Sequence, residues 1–233
     1  MKYIVIICAR GGSKGLPDKN IKPIGGVPLV ARSILVAKKI KNVSRVIVST
    51  DSLKVAEIAK EYGAEVPFMR PSYLAKDDAA EWKVWQHAMS FLEGEGEIFD
   101  GLISLPPTSP LRSFLDVEKC IDEFEKGGVD VVITSTVSNR SPYFNMVVAD
   151  ENGYCNLVNP GKKIYRRQDS PLIYDMTTVA YVARPLFVKK YNGLFEGKIK
   201  QVQIPIERAV DIDNQLDFDF VEFLYLKKNN EKY

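Results

Sequence analysis

An α/β fold, a parallel sheet with helices on its faces, is what this sequence predicts, and three observations carry the prediction. Four short apolar or β-branched runs, Tyr3–Cys8, 45–50, 101–105 and 129–134, are continuous rather than alternating, as strands buried on both faces are. Between them lie stretches whose apolar residues recur at helical spacing, beginning with Val30, Ile34, Ala37 and Ile40. The two kinds alternate β-α-β-α from the N-terminus, the order that right-handed crossovers between parallel strands produce.

The first run empties into Ala9-Arg10-Gly11-Gly12-Ser13-Lys14-Gly15, with Pro17, Asp18, Lys19 and Asn20 behind it. Gly11, Gly12 and Gly15 permit positive φ or close approach to a ligand, and Arg10, Lys14 and Lys19 put three cations among exposed N–H groups. That combination suits a triphosphate. By glycine count alone the stretch also reads as a solvated turn, because it is neither a Walker A sequence nor GxGxxG.

A helix follows over about 28–41, then a strand over 45–50 ending at Asp51, then a helix carrying Val55, Ile58, Ala59 and Tyr62. Residues 63–71 fit a short strand, with Pro67 and Pro71 suiting an edge or a strand end. After a loop over 72–80, a helix over about 79–92 turns Trp82, Trp85, Met89 and Leu92 to the core and carries the single histidine, His87, as a structural residue. The strand 101–105 runs into Pro106-Pro107-Thr108-Ser109-Pro110-Leu111-Arg112, whose three prolines fix a rigid loop at a strand's carboxyl end, where open α/β sheets bind ligands. Asp116 opens a helix with Val117, Cys120, Ile121 and Phe124 on its apolar side, and 129–134 is the next strand.

The pattern changes after Thr134. Residues 144–158 read as a hairpin about Asn152-Gly153, 161–169 are polar and basic, and 176–182 return as a strand. The chain is read as one domain, 1–233, from which an excursion over about 140–175 projects as a lid, an oligomer arm, or both. A final helix carries Leu216, Phe220, Phe223 and Leu224 to about Lys228.

Thirty-two Lys and Arg against 30 Asp and Glu leave a formal charge of +2, so no global field advertises a nucleic-acid or membrane partner. No apolar run approaches the roughly 20 residues of a membrane span, and Tyr3–Cys8 is too short for a signal peptide, which places the protein in the cytoplasm. Cys8, Cys120 and Cys155 lack CxxC spacing and read as reduced packing residues. A single histidine, read as structural on its helix, weighs against a Ser-His-Asp triad and a His-rich metal site.

Asp211-Ile212-Asp213 is the second chemical feature. Alternate residues of an extended segment point to one side, and two adjacent carboxylates call for a cation; Mg²⁺ takes one or two carboxylates and completes its shell with phosphate oxygens and water. Equally, Asp213 or Asn214 can cap the last helix. The basic loop and the carboxylate pair together describe a nucleoside triphosphate with Mg²⁺, and hence phosphoryl or nucleotidyl transfer.

The stretch from Ile7 to Asn20, Val46-Ile47-Val48-Ser49-Thr50-Asp51, Arg70-Pro71, Pro107-Thr108-Ser109-Pro110-Leu111-Arg112 and Asp211-Ile212-Asp213 resemble, in order, the motifs of the acylneuraminate cytidylyltransferases. The resemblance spans the chain. It implies a Rossmann-like nucleotide-diphospho-sugar transferase fold, a mixed, mostly parallel sheet with one antiparallel strand and a β arm exchanged in a homodimer. It also implies that CTP and a nine-carbon 2-ulosonic acid give a CMP-sugar and pyrophosphate, the anomeric 2-hydroxyl attacking the α-phosphate. By this resemblance Arg10, Ser13, Lys14 and Lys19 hold the triphosphate, with Ala9, Gly11, Gly12, Asn20 and Arg70 also in the nucleotide site. Asp211 and Asp213 hold Mg²⁺, with Arg10, Lys19 and Asp211 as the catalytic set.

The sugar side, read from Pro106, Thr108, Ser109, Phe144 and Arg167, departs from the sialic acid pattern. Pro106 stands where sialic acid enzymes have Gln, and Phe144 where they have Lys. The loss of polar partners points to a less polar acid, of legionaminic type, and Tyr174-Asp175-Met176-Thr177-Thr178 resembles legionaminate-type sequences. Arg167 is the candidate partner for the sugar carboxylate, a fork of donors suiting that group. Pseudaminate or Kdo-type synthetases are the alternatives in the same class. A sugar-nucleotide-binding regulator is the alternative outside it, and so is a dinucleotide-dependent oxidoreductase, against which the missing GxGxxG weighs.

Overall fold

The structure, a computed structural model, describes residues 1–161, 164 and 166–230, without the side chains of Arg167 and Asn229. Its centre is a six-stranded sheet built from β1 (Tyr3–Cys8), β4 (Val43–Ser49), β5 (Gly101–Ser104), β6 (Val131–Val137), β9 (Tyr174–Ala183) and β10 (Ile199–Gln203). The strand order is β10-β6-β9-β5-β1-β4, with β9 antiparallel to both of its neighbours and every other pairing parallel. The mixed, mostly parallel sheet expected from the sequence is therefore present.

Helices α1 (Leu29–Ala37), α2 (Leu53–Glu61) and α4 (Phe114–Glu125) cover one face, where Val30, Ile34, Val55, Val117 and Phe124 pack against Val5 and Ile7 of β1. On the other face α3 (Glu81–Gly94) and α5 (Pro185–Lys190) bring Trp82, Trp85, Met89 and Phe187 against Ile4 and Ile6. Successive residues of β1 thus serve opposite layers, which is why the run is apolar throughout. A third apolar cluster joins Leu16 of the glycine-rich loop, Ile24 and Leu29 to Ile212 and to Phe218 and Val221 of α6 (Gln215–Asn230).

Several elements differ from expectation. Residues 63–71 make one isolated bridge, Glu65 to Ile47, rather than a strand; Pro67 has no N–H to extend a ladder. The helix read as opening at Asp116 begins at Phe114, with Ser113 as N-cap and Asp116 closing the capping box from the third helical position. The six-residue α5 is too short to show helical periodicity. None of Gly11, Gly12 and Gly15 has positive φ; the left-handed residue of the loop is Asp18. Cys120 is buried and Cys8 packs half-buried against the core, whereas Cys155 is exposed and is not a packing residue.

Two irregularities matter for the site. β9 pairs Tyr181 with Ile133 and Thr177 with Thr134, so Thr178, Val179 and Ala180 bulge out of register with β6. The Thr134 hydroxyl fills the gap: it accepts the Ala180 N–H at 3.2 Å and the Thr177 hydroxyl at 2.8 Å. The second is the hairpin of β7 (Val147–Ala149) and β8 (Cys155–Leu157), whose strands pair with each other alone among the described residues. The remaining two-residue pair, β2 (Pro23–Ile24) with β3 (Val27–Pro28), links the first loop to α1. No helix among the described residues is long and apolar enough to cross a membrane.

Candidate active site at the carboxyl edge of the sheet

The parallel strands β1, β5 and β10 all point their carboxyl ends to one edge, so the loop after Cys8, the loop after Ser104 and the segment before α6 converge there. The convergence is fastened by direct bonds. Lys19 Nζ donates to the Ile212 carbonyl at 2.6 Å and lies 3.3 Å from Asp213 Oδ1, and the Ile212 N–H donates to the Thr108 carbonyl at 2.9 Å. A Cβ on Gly15 would overlap the Asp213 carbonyl oxygen, so this glycine is present for close approach. Ile212, buried between the two aspartates, anchors the strip from which they project.

Beside the glycine-rich loop, a cavity of about 250 Å³ is lined by Arg10, Ser13, Lys19, Asn20, Arg70, Asp77, Glu81 and Thr108, among others. The Ala9 N–H donates to the Ser49 carbonyl at 3.0 Å and the Gly11 N–H to Asp51 Oδ1 at 2.8 Å, which lock the loop's first turn. Asn20 is buried, its amide donating to the Arg10 carbonyl at 2.9 Å. Arg70 is also buried, with Nε 3.1 Å from Ser49 Oγ and Nη2 2.5 Å from the Ser49 carbonyl. Gly12 and Lys14 lie at the open rim; a Cβ on Gly12 would meet nothing.

Three residues in this region were given no role by the sequence, and Thr178 entered it only as the end of the stretch 174–178. Asp77 bridges Arg10 at 2.6 Å and Lys14 at 2.5 Å, and Lys14 and then Arg10 hold its carboxyl below the usual range. Glu81 is driven upward by burial, against bonds from the Ser104 hydroxyl at 3.1 Å and the Trp85 N–H at 3.2 Å. Thr178, on the β9 bulge, places its hydroxyl 2.8 Å from Asp211 Oδ1 and 2.6 Å from Ser109 Oγ. Only the fold brings these partners together, across 33 and 69 positions of chain.

The loop 106–112 is braced from beneath by Arg112. Its guanidinium donates to Ser33 Oγ at 2.7 Å, to the Pro106 carbonyl, and to the Thr178 carbonyl at 3.4 Å. Burial lowers its pKa to about 9, and the charges of Asp211 and Asp116 oppose that shift, so it remains a cation at neutral pH. Asp116 in turn is fully buried and takes a bidentate pair from Arg208 at 2.9 and 2.8 Å, which ties the turn Ile206–Arg208, just ahead of Asp211, to α4.

Of the three residues of that loop expected on the sugar side, Thr108 lines the cavity, while Pro106 and Ser109 are buried with their oxygens engaged by Arg112 and Thr178. Phe144 is half-buried in the excursion, where its N–H donates to the Ser141 carbonyl, and it does not line that cavity. Arg167 opens the turn Arg167–Asp169, and its side chain lies outside the described residues.

The helix-cap alternative for the carboxylates resolves to Asn214. Its side-chain oxygen accepts the Asp217 N–H at 3.1 Å, and Asp217 Oδ2 accepts the N–H groups of Asp213 and Asn214 at 2.9 and 3.0 Å. The Asp213 carboxylate is therefore left to Lys19 and solvent, its side chain 76% exposed. Among the described residues no three His, Cys, Asp or Glu side chains gather as a metal cage. Two carboxylates beside a basic loop nonetheless fit a hard cation that draws its other ligands from phosphate and water.

The comparisons with known proteins agree with this geometry. A family model described as cytidylyltransferase matches residues 4–229. Post-translational flagellin modification protein B of Campylobacter coli is 36% identical over 229 residues, covering 98% of this chain and 97% of its own. A CMP-N,N'-diacetyllegionaminic acid synthase of Campylobacter jejuni is likewise 36% identical over 229 residues, with the same coverage. Among solved structures, a CMP:2-keto-3-deoxy-manno-octonic acid synthetase complexed with CTP superposes with a TM-score of 0.72 at 17% identity, covering 98% of this chain and 100% of that one, which supports the fold. The chain belongs to the cytidylyltransferase family, and it is a nucleotidyltransferase enzyme.

Proposed function

We propose that the protein joins CTP to a nonulosonic acid, forming a CMP-sugar and pyrophosphate. The observation that carries the reading is Lys19, which spans from the basic loop to the Asp211-Ile212-Asp213 strip and so makes one site of two segments nearly 200 positions apart. In this reading Arg10, Ser13, Lys14 and Lys19 neutralise the triphosphate, and Ala9, Gly11 and Gly12 present the loop backbone to it. Asn20 and Arg70 wall the nucleotide pocket. Charge builds on the α-phosphate and the departing pyrophosphate, and preorganised cations stabilise it without reorganising at the moment of reaction.

Asp211 and Asp213 would hold Mg²⁺; bound there, the ion would polarise the phosphates and lower the pKa of a coordinated hydroxyl. On the sugar side Thr108 supplies a hydroxyl, Phe144 an apolar wall and Arg167 a fork for the carboxylate, while Pro106 and Ser109 act by shaping the loop. The apolar pair Pro106 and Phe144, and the name of the Campylobacter jejuni relative, favour an acid of legionaminic type. The hairpin of β7 and β8, with Val147, Val148, Tyr154 and Val158 exposed, is the arm of a homodimer. The reaction belongs in the cytoplasm, where CTP is made.

Pyrophosphate release tests the reading. Purified protein with Mg²⁺ is given each of the four nucleoside triphosphates and a panel of sialic, legionaminic, pseudaminic and Kdo-type acids. Release with CTP and a legionaminic acid is expected, and silence with CTP and every acid would discard the function.

A further inference from the structure

We infer that Thr178 is a positioning residue for Asp211, fixing which carboxylate oxygen faces the metal and substrate. The inference rests on the cytidylyltransfer reading above and goes beyond it by assigning a role to a side chain that contacts no substrate there.

The first argument is the direction of the hydrogen bonds. Thr178 Oγ1 lies 2.8 Å from Asp211 Oδ1 and 2.6 Å from Ser109 Oγ. An ionised carboxylate only accepts, so the single hydroxyl proton of Thr178 goes to Asp211 and its oxygen accepts the proton of Ser109. The chain Ser109 to Thr178 to Asp211 therefore has one polarity. Each member strengthens the next, and Oδ1 is committed to the protein, leaving Oδ2 as the oxygen to present to a cation.

The second argument is how Thr178 comes to be there. β9 runs against its neighbours, so its N-terminal part reaches the edge where the parallel strands end. The bulge then lifts Thr178 out of the ladder with β6, and Thr134 satisfies the backbone groups that the bulge leaves behind. Bulges beside active sites re-aim side chains in this way. Arg112 braces the same point, donating to the Thr178 carbonyl at 3.4 Å and to Pro106 while facing Asp211 with a buried charge. Ligands held by such outer partners bind metal with the ring or carboxylate already oriented.

The test compares Thr178→Val, which keeps the shape and removes the hydroxyl, with Thr178→Ser, which restores it, and uses Asp211→Asn as reference. Calorimetry measures CTP affinity in EDTA and again with Mn²⁺, and the ratio is the metal-dependent gain. Thr178→Val should bind CTP in EDTA within about twofold of wild type and lose roughly 10- to 100-fold of the metal-dependent gain, the range typical of outer-shell partners. Thr178→Ser should recover most of it. If Asp211→Asn abolishes the gain while Thr178→Val retains it in full, the positioning role is wrong and the metal site stands. If Asp211→Asn leaves the gain intact, the metal assignment itself falls, and this inference with it.

Discussion

The edge carrying the glycine-rich loop and the hairpin of β7 and β8 are finished to different degrees within one chain. At the edge, distant segments close on each other: Lys19 on Ile212 and Asp213, Ile212 on Thr108, Arg208 on Asp116, with Leu16 and Ile212 in a shared apolar cluster. The hairpin leaves apolar residues in the open, Val147 at 60% and Val148 at 57% exposure, and among the described residues its strands pair only with each other. A two-stranded hairpin of this length is marginal alone in water. The difference teaches that the edge is closed by bonds within the protomer, while the hairpin leaves apolar residues in solvent, as the proposed dimer arm would.

The comparison is broken most sharply at Asp211. Asp211→Asn should lower the rate of pyrophosphate release by about 10²- to 10³-fold or more, with circular dichroism and oligomeric state unchanged. A variant that keeps wild-type turnover would show that the carboxylate strip is not part of the chemistry.

The reverse experiment charges the hairpin. Val147→Asp with Val148→Asp should halve the mass seen in sedimentation, from dimer to monomer, while CTP binding survives. Retention of a dimer with both aspartates in place would separate the hairpin from assembly.

A finer test concerns how ready the nucleotide half is. Asp77 sits on Arg10 and Lys14, the cations the triphosphate would need, so part of the site's charge is already spent. Asp77→Asn should tighten binding of CTP, or of inorganic tripolyphosphate, by about 3- to 10-fold, exposed ion pairs being weak. The gain should shrink as salt is added. Weaker binding would mean that Asp77 orients Arg10 instead of competing with the ligand.

The smallest effect is on stability. The folded protein raises the pKa of half-buried Glu81 by desolvation, so it keeps a proton that the unfolded chain releases, and stability falls as pH rises above the ordinary carboxylate range. Glu81→Gln should flatten that fall in a series of urea titrations from pH 4 to 8; an unchanged slope would mean that the group is ionised in the folded state.

Much of this was readable in advance where the signal is local. Tyr3–Cys8 is apolar at every position because both faces are covered, and Trp82, Trp85, Met89 and Leu92 share a helical stripe, so strand and helix could be named from spacing. Gly15 was visible as a glycine, but its reason was not: close approach to Asp213 depends on a residue almost 200 positions away. The strand expected over 63–71 failed because its one bridge partner, Ile47, meets Glu65 alone. Cys155 read as a packing residue because cysteine usually is one, and it lies on the uncovered hairpin instead.

By itself the sequence determined the class of fold, the basic loop at a strand end and the carboxylate pair, since each is written in contiguous residues, while leaving open whether the loop was a solvated turn and the carboxylates a helix cap. Only the tertiary structure decided which side chains complete the site. Thr178 reaches Asp211 because β9 runs backwards and bulges, and Asp77 reaches Arg10 and Lys14 because the loop after Arg70 folds over the first turn. Ser109 and Pro106 turn inward because Arg112 and Thr178 hold their oxygens. Hydrogen bonds and ion pairs of this kind act over about 3 Å in space and leave no periodic trace along the chain.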